Sequence, residues 1–335
     1  MDFTVIIPSR NRPVLLRKAI ESVLMQDHDS FEVLIINDGS DGENEQAYRQ
    51  IEADFSPAVK LFDLEKTSSG HGQSYGINIG AELAQGKYLT FLDDDDFWLD
   101  AGHLSRCQQV INAADSAADS AVDAIYCDQR AIKNGQEVLP SIWLGGLMNS
   151  PQPPVDCIDQ AAPAYRVDVK QLIRHPGFGH LNTSLISKAL YQRIGGMDNN
   201  IRYECDRDFY LRCIDAAEGI AYIPVVVSQH NAPDQTRSDN MSTVVSDFQK
   251  LMFQLYVLDK ARLFAQHAVI RTHGRIHKGF TLKKIVAVLA KNKQYQRAFG
   301  YACEALGTGF SLKWAGYTLG LGVRALFTQE QGRAS

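Results

Sequence analysis

The 335-residue sequence contains no Gly-x-x-x-x-Gly-Lys-Ser/Thr stretch, so a P-loop ATPase is disfavoured, and no strand-linked Gly-x-Gly-x-x-Gly to mark a dinucleotide oxidoreductase. Ser68 and Ser184 lie in no Gly-x-Ser-x-Gly elbow, which leaves a serine hydrolase without support. The six cysteines (Cys107, Cys127, Cys157, Cys205, Cys213 and Cys303) show no Cys-x-x-Cys or close-pair spacing. That pattern argues for a reduced, cytoplasmic setting and against structural zinc. Phe3 opens an apolar segment with no basic leader before it, so no secretory signal is expected. Positive charge is scarce in the body: residues 1–249 hold 20 Lys and Arg against 36 Asp and Glu, whereas residues 250–335 hold 14 against 3. The basic tail suits an anionic partner. No aromatic–basic reading motif accompanies it, so nucleic acid is not expected.

What is present is an acidic run, Phe91-Leu92-Asp93-Asp94-Asp95-Asp96-Phe97-Trp98, directly after the strand-like Gly86–Thr90. Four adjacent carboxylates repel one another and are costly to desolvate. A hard divalent cation on a diphosphate would offset that cost; a water-facing, helix-capping turn is the other reading. Around this run the first half alternates. Residues 3–8, 31–37, 59–64, 87–92 and 122–127 read as strands, and 13–25, 43–55, 73–85 and 100–114 as helices. The rhythm predicts a mainly parallel sheet with helices on both faces, whose ligands bind beyond the carboxyl ends of the strands.

Three motifs fall at those ends: Pro8-Ser9-Arg10, Asn37-Asp38-Gly39-Ser40 and Asp93–Asp96. Asp38 could accept from a pyrimidine N–H or simply cap a turn, and Arg10 and Arg12 could meet phosphate or solvate a loop. Ser69-Gly70-His71-Gly72 precedes a helix whose first N–H groups suit an anion. Residues 115–123 read as a surface turn, 145–163 as a loop able to close over a ligand, and 229–242 as a polar, mobile loop. His230, opening that last loop, is a candidate for the metal or diphosphate. A second α/β stretch follows the same logic: 182–187 extended, 188–194 helical, Gly195-Gly196 a turn, 206–218 a helix and 220–227 a strand. Asp206, in the first turn of its helix, could take a proton from a hydroxyl or simply serve the helix start as an acidic residue. Asp208, about 200° further round, suits a pair with Arg212.

Taken in order, Phe3–Ser9 with Asn11, Ala19–Gln26, Ile35–Asp41, Phe91–Trp98, Gly195-Gly196-Met197-Asp198 and Cys205–Arg212 resemble the family 2 glycosyltransferases with the GT-A fold. The likeness spans residues 1–230. It implies a Rossmann-like α/β domain of that extent, with a nucleotide-binding half (1–128) and an acceptor-binding half (129–230). Residues 231–249 would form a mobile loop and helix start, and 250–335 a basic, mostly helical region. It implies inverting transfer from a nucleotide-sugar, UDP- or dTDP-linked, to an acceptor hydroxyl, with Mg²⁺ or Mn²⁺ under the diphosphate. Asp38 would contact the base, Pro8, Ser9 and Arg10 would line the nucleoside, and Asp93 and Asp95 would orient ribose and metal around Asp94. Gly195 and Gly196 would floor the sugar site, and Asp206 would be the general base. Two departures stand out: Ile77 replaces a usual basic residue before Asn78, and Cys205 replaces a glutamate before Asp206. A sugar-nucleotide pyrophosphorylase would need a glycine-rich loop after the first strand, which Pro8–Arg12 lacks. A noncatalytic nucleotide- or glycan-binding module would not need Asp206.

The tail places Leu282, Ile285, Val286 and Leu289 on one helical face, and residues 310–327 are rich in Phe, Leu, Trp and Gly. The uncharged stretch between Lys313 and Arg324 is half of the roughly twenty residues a membrane span requires. An amphipathic segment at the inner face of the cytoplasmic membrane, serving a glycan or lipid-linked glycan acceptor, is one expectation. A packing cap on the sheet is the other.

Overall fold

The computed structural model describes residues 1–116, 121–133, 135–161, 163–231 and 244–333, with side chains to 327. The chain divides into two compact units, 1–238 and 239–335.

In the first unit the sequence Phe-Thr-Val-Ile-Ile makes β1 (Phe3–Ser9), and Phe-Glu-Val-Leu-Ile-Ile makes β2 (Phe31–Asn37). Such β-branched runs fit a sheet covered on both faces. With β3 (Val59–Asp63) and β4 (Tyr88–Phe91) they form a parallel block, connected through α1 (Pro13–Leu24), α2 (Gly42–Phe55) and α3 (Gln73–Leu83). Gly80 brings α3 onto the sheet, because a Cβ there would lie 2.5 Å from Ile6 Cγ2. The chain then runs through β5 (Phe97–Trp98), α4 (His103–Ser116), β6 (Ala124–Lys133), β7 (Gln136–Ile142), β8 (Cys157–Asp159) and β9 (Ala164–Arg166). It finishes with α5 (Val169–Arg174), β10 (Ser184–Ser187), α6 (Lys188–Arg193), α7 (Cys205–Ala216) and β11 (Ile220–Asn231). The sheet order is β3-β2-β1-β4-β10-β6-β11-β9-β8, with β5 on β11 and β7 on β6. β10 runs antiparallel between β4 and β6.

Several expectations are corrected here. The strand expected at 122–127 runs on to Lys133 and pairs with β7. The 145–163 segment contains β8, which pairs with β9 at the sheet's far edge. Residues 229–231 belong to β11, so His230 sits on a strand and not in a loop; residues 232–242 of that expected loop lie outside the described residues. Asp123 is no surface-turn residue: it is buried, its carboxylate accepting from Ser187 Oγ, Arg193 Nη2 and the Glu218 N–H.

The second unit consists of α8 (Asp247–Phe264), α9 (Ala268–Lys291), α10 (Tyr295–Thr308) and α11 (Leu312–Arg333). Leu282, Ile285, Val286 and Leu289 form its core with Leu255, Ala298, Ala302, Ala305 and Leu321. The face expected to be available to a membrane at 281–292 is therefore occupied by packing. Lys278 is buried between Asp259 and Glu304, tying α9 to α8 and α10 through charge-assisted bonds of 2.6–2.9 Å. Phe310, Leu312, Leu319, Leu326 and Phe327 remain exposed. Among the described residues no helix is long and apolar enough to cross a membrane.

Candidate active site

The carboxyl ends of β1, β2 and β4 deliver the three motifs to one side of the sheet. Asn11, in the left-handed region at φ 57°, joins two of them: its N–H donates to Ser40 Oγ at 2.9 Å, and its Oδ1 accepts from the Asp41 N–H at 2.8 Å. Asp38 closes the loop before α3: Oδ1 accepts from the His71 N–H and meets His71 Nδ1, both at 2.8 Å, while Oδ2 accepts from the Gly72 N–H at 2.9 Å. Burial opposes ionisation of Asp38, but these bonds outweigh it and hold the carboxyl below its ordinary range. Part of the anion-binding capacity expected before α3 is thus filled by Asp38 itself. Gly70 is required beside it, since a Cβ would lie 2.6 Å from Asp38 Oδ2 at a φ of +66°. Arg10 Nη2 donates to the Thr67 carbonyl at 3.1 Å, and Arg202 Nη2 to the Gly70 carbonyl at 3.1 Å. Ile77 is fully buried, so Arg202 is the cation the structure brings to this loop from beyond the motifs.

The four aspartates separate into two pairs. Asp94 is buried, with Oδ2 accepting from Ser9 Oγ at 2.6 Å and Oδ1 paired with Arg12 Nη2 at 2.6 Å; Ser9 Oγ also meets Tyr48 OH. The side chains of Ser9 and Asp94, expected toward the nucleotide, are therefore turned inward, because this turn pairs them with each other. Asp96 is equally buried and accepts from Asn182 Nδ2 (2.7 Å), Gln129 Nε2 (3.3 Å) and the Asn231 N–H (2.8 Å); His230 Nδ1 meets it at 3.1 Å. Asp93 and Asp95 are partly open. Asp93 accepts from Gln73 Nε2 at 2.5 Å and Asn182 Nδ2 at 3.1 Å, and Asp95 from Arg12 Nη1 at 3.0 Å. Burial, then repulsion from Asp96, Asp95 and Asp94, pushes Asp93 up to about 8. Burial pushes Asp94 up to about 7 against the pull of Arg12. Burial would lower His230, but its bond to Asp96 wins and raises it. Its Nδ1 is committed to Asp96, which leaves Nε2 for a ligand.

Asp206, 110 residues further along the chain, is brought to this cluster by two bridges. Asn182, bonded to Asp93 and Asp96, also receives the Asp93 N–H on its Oδ1 and donates its own N–H to His180 Nδ1 at 3.3 Å. Burial holds His180 below its usual range, against the pull of Asp206. With Nδ1 accepting, the neutral ring carries its proton on Nε2, which faces Asp206 Oδ2 at 3.5 Å. Trp143 stacks on His180 at 4.7 Å and donates Nε1–H to Gln129. The second bridge is Gln73, which donates to Asp93 while its Oε1 meets Cys205 Sγ at 3.6 Å, next to Asp206. Glu204, before α7, has φ 66°, and its carboxylate accepts from Arg207 Nε at 2.6 Å. Asp208 pairs with Arg212, whose Nη1 donates to the Ile194 and Gly196 carbonyls. Gly195 and Gly196, at φ 76° and 68°, end α6, and Asn78 Oδ1 accepts from the Met197 N–H beside them at 2.8 Å. Pro8 lies under α3, close to Gly76.

The sequence reading missed Gln73, Gln129, Asn182 and Asn231, whose neutral amides carry no motif, and it undervalued His180. The only local signal was the Pro-Gly-Phe-Gly turn before His180.

A mainly parallel sheet with a buried acidic turn after its central strand and a distal acidic helix defines a GT-A domain. The glycosyl transferase family 2 model matches residues 4–173, and the chain belongs to that family. An uncharacterized glycosyltransferase of Rickettsia prowazekii is 26% identical over 209 residues, covering 62% of this chain and 57% of that protein. A GalNAc(5)-diNAcBac-PP-undecaprenol beta-1,3-glucosyltransferase of Campylobacter jejuni is 35% identical over 109 residues, 32% of this chain and 34% of that protein. The chain thus spans about half and about a third of these relatives' lengths. In fold it is similar to S. aureus TarS 1-349 in complex with UDP (TM-score 0.61, 16% identity, 97% of this chain and 88% of that one). It is also similar to a Pyrobaculum calidifontis mannosyltransferase in complex with GDP-Man and Mn²⁺ (TM-score 0.55, 16% identity, 97% and 87%).

Proposed function

We propose that this chain transfers a sugar, with inversion, from a UDP- or dTDP-sugar to an acceptor hydroxyl. The observation that carries the reading is the turn at residues 180–182, which couples Asp206 through His180 to the acidic run through Asn182. Asp93 and Asp95, with His230 near enough for their charge to raise its proton affinity, would hold Mg²⁺ or Mn²⁺. The donor set is hard oxygen plus imidazole, and Asp93 is raised by burial and then by repulsion from its three neighbours, a cost that a divalent cation would offset. When bound, the ion neutralises charge on the departing diphosphate. The chain's own residues do the rest. Asp206 takes the acceptor proton, and the Nε2–H of His180 keeps the Asp206 carboxylate oriented. Arg10 and Arg202 draw the loop at residues 67–70 toward the phosphates, and the remaining lone pair of Asp38 Oδ2 accepts from the pyrimidine N–H. Attack by one activated hydroxyl opposite a neutralised leaving group inverts the anomeric centre. Asp94 supports the turn from beneath, and Gly195 and Gly196 shape the acceptor side.

The relative from Campylobacter is named for an undecaprenol-diphosphate-linked glycan. The exposed apolar residues of α11, with Lys313 and Arg324 on the same helix, suit an anionic membrane surface bearing a lipid-linked acceptor of this kind, at the cytoplasmic face. A transfer screen over UDP-, dTDP- and GDP-sugars with Mn²⁺ or Mg²⁺ tests the function. Release of UDP or dTDP coupled to glycoside formation is expected. Synthesis of a sugar nucleotide from triphosphate and sugar-1-phosphate would establish a pyrophosphorylase, and binding without turnover a noncatalytic module.

A further inference from the structure

Beneath the acidic turn lies a cluster that glycosyl transfer does not use. His103 and Cys107 stand one turn apart on α4, and Cys127 faces them from β6. All three are at most 1% exposed. His103 Nδ1 lies 3.8 Å from Cys107 Sγ and 4.0 Å from Cys127 Sγ, and the three atoms fall within 4.8 Å of one another. His103 Nε2 is buried without a hydrogen-bond partner, so neither ring nitrogen meets an oxygen or nitrogen acceptor or donor. The ring packs edge-to-face against Trp98 at 4.9 Å, but a buried imidazole is ordinarily hydrogen-bonded, and one whose near polar neighbours are two thiols needs a reason.

From this cluster we propose a second metal site: His103, Cys107 and Cys127 bind a thiophilic d¹⁰ cation, Cu(I) in preference to Zn(II), in three-coordinate geometry. With metal–nitrogen and metal–sulfur bonds of about 2.1 and 2.3 Å, a tetrahedral ion sets N···S near 3.6 Å and a trigonal one near 3.8 Å. The two N···S separations, 3.8 and 4.0 Å, lie close to both values, and it is the count of three ligands that points to the three-coordinate form. Soft thiolates select Cu(I), and among the described residues no fourth His, Cys, Asp or Glu joins the three. Two thiolates with a monovalent ion leave one negative charge; Arg106, on the same helix, is itself paired with Asp100 and so tempers that charge only in part. Cys107 is lowered to about 5, so at neutral pH binding displaces chiefly the Cys127 proton to solvent, and it involves no change of oxidation state. The ion would link α4 to the strand that carries Gln129 to Asp96 and Trp143.

The test uses the full chain with the exposed Cys157 and Cys303 replaced by serine, reduced and anaerobic. It is loaded with Cu(I) in competition with bathocuproine, and separately with ZnCl₂. Close to one equivalent of Cu(I) should survive desalting, with an X-ray absorption shell of two sulfurs and one nitrogen. Cys107→Ser, Cys127→Ser and His103→Gln should each weaken retention at least about tenfold, whereas Cys213→Ser, a buried cysteine outside the cluster, should retain it. Folding of each variant is checked by its thermal transition; in the parent chain that transition should rise with added Cu(I). Retention of neither ion, equal retention in the cluster variants, or a Cys107–Cys127 disulfide in protein isolated without reductant would overturn the site.

Discussion

Removing divalent cations and raising the pH from 6.5 to 8 should destabilise the catalytic unit. Asp93, pushed up to about 8, Asp94, pushed up to about 7, and His230, held above its usual range, all keep protons in the fold that the unfolded chain has already released. A folded state that binds more protons loses stability as pH rises. His175 and His180 are shifted down, which has the opposite sign, but their contribution fades within about one pH unit above the ordinary histidine value. Cys107, lowered to about 5 by its bond to Cys127, adds stability as pH rises through the same window, so the effect is read in a Cys107→Ser background, where the acidic turn dominates. Each retained proton corresponds to about 1.4 kcal/mol per pH unit. One to two protons across the window, reduced by coupling within the cluster, gives a loss of about 2 kcal/mol. For a unit of this size that is roughly 4–8 °C in Tm. Thermal unfolding in EDTA at each pH reads the effect, and Mn²⁺ with UDP should abolish most of it by replacing the protons with a cation. Asp93→Asn should flatten the profile. A metal-free Tm that is level or rises between pH 6.5 and 8 would refute the reasoning.

Asp206→Asn should reduce turnover about 10²–10⁴-fold while leaving calorimetric UDP affinity near the parent value; ordinary turnover would remove Asp206 as the base. Gly196→Ala should cost about 2–3 kcal/mol in urea unfolding, since its Cβ would lie 2.5 Å from Asn78 Oδ1 at a left-handed φ, whereas Gly195→Ala, with nothing within 4 Å, should cost about 1 kcal/mol. Leu319→Asp with Leu326→Asp should release the full chain from anionic liposomes in flotation without altering its Tm, because both side chains are exposed. Unchanged flotation would remove α11 as the membrane contact.

The amino-terminal strands were legible because burial on both faces demands unbroken Val and Ile runs, and β1 and β2 have them. β7 carried no such signal: Val138 and Leu139 are half exposed and Pro140 interrupts the run. The same asymmetry divides the site. Charged residues announce themselves in sequence, so the acidic run and Asp206 stood out. The amides of Gln73, Asn182 and Gln129 acquire meaning only when the fold brings them onto those carboxylates. Cys107 and Cys127 escaped for a related reason, since their closeness comes from a helix packing on a strand and not from sequence spacing.

Four consecutive aspartates look redundant in sequence, yet the turn assigns them opposite tasks. The Asp96 N–H donates to the Asp93 carbonyl at 3.1 Å, curling the run so that alternate side chains diverge. Asp94 goes to Ser9 and Arg12, and Asp96 to Asn182, Gln129, His230 and the Asn231 backbone. These two bind the turn to β1, β6 and β11 with charge-assisted bonds, the kind strong enough to hold a turn whose members repel one another. Their fixation confines Asp93 and Asp95 near the crevice, where repulsion cannot be relieved by moving apart. The cation proposed above would meet the residual cost. Arg12 spans both pairs, contacting Asp94 and Asp95, and so offsets part of the negative charge of each. On this view the inward aspartates are positioning residues for the outward ones, and the acidic run is a single device whose halves cannot exchange roles.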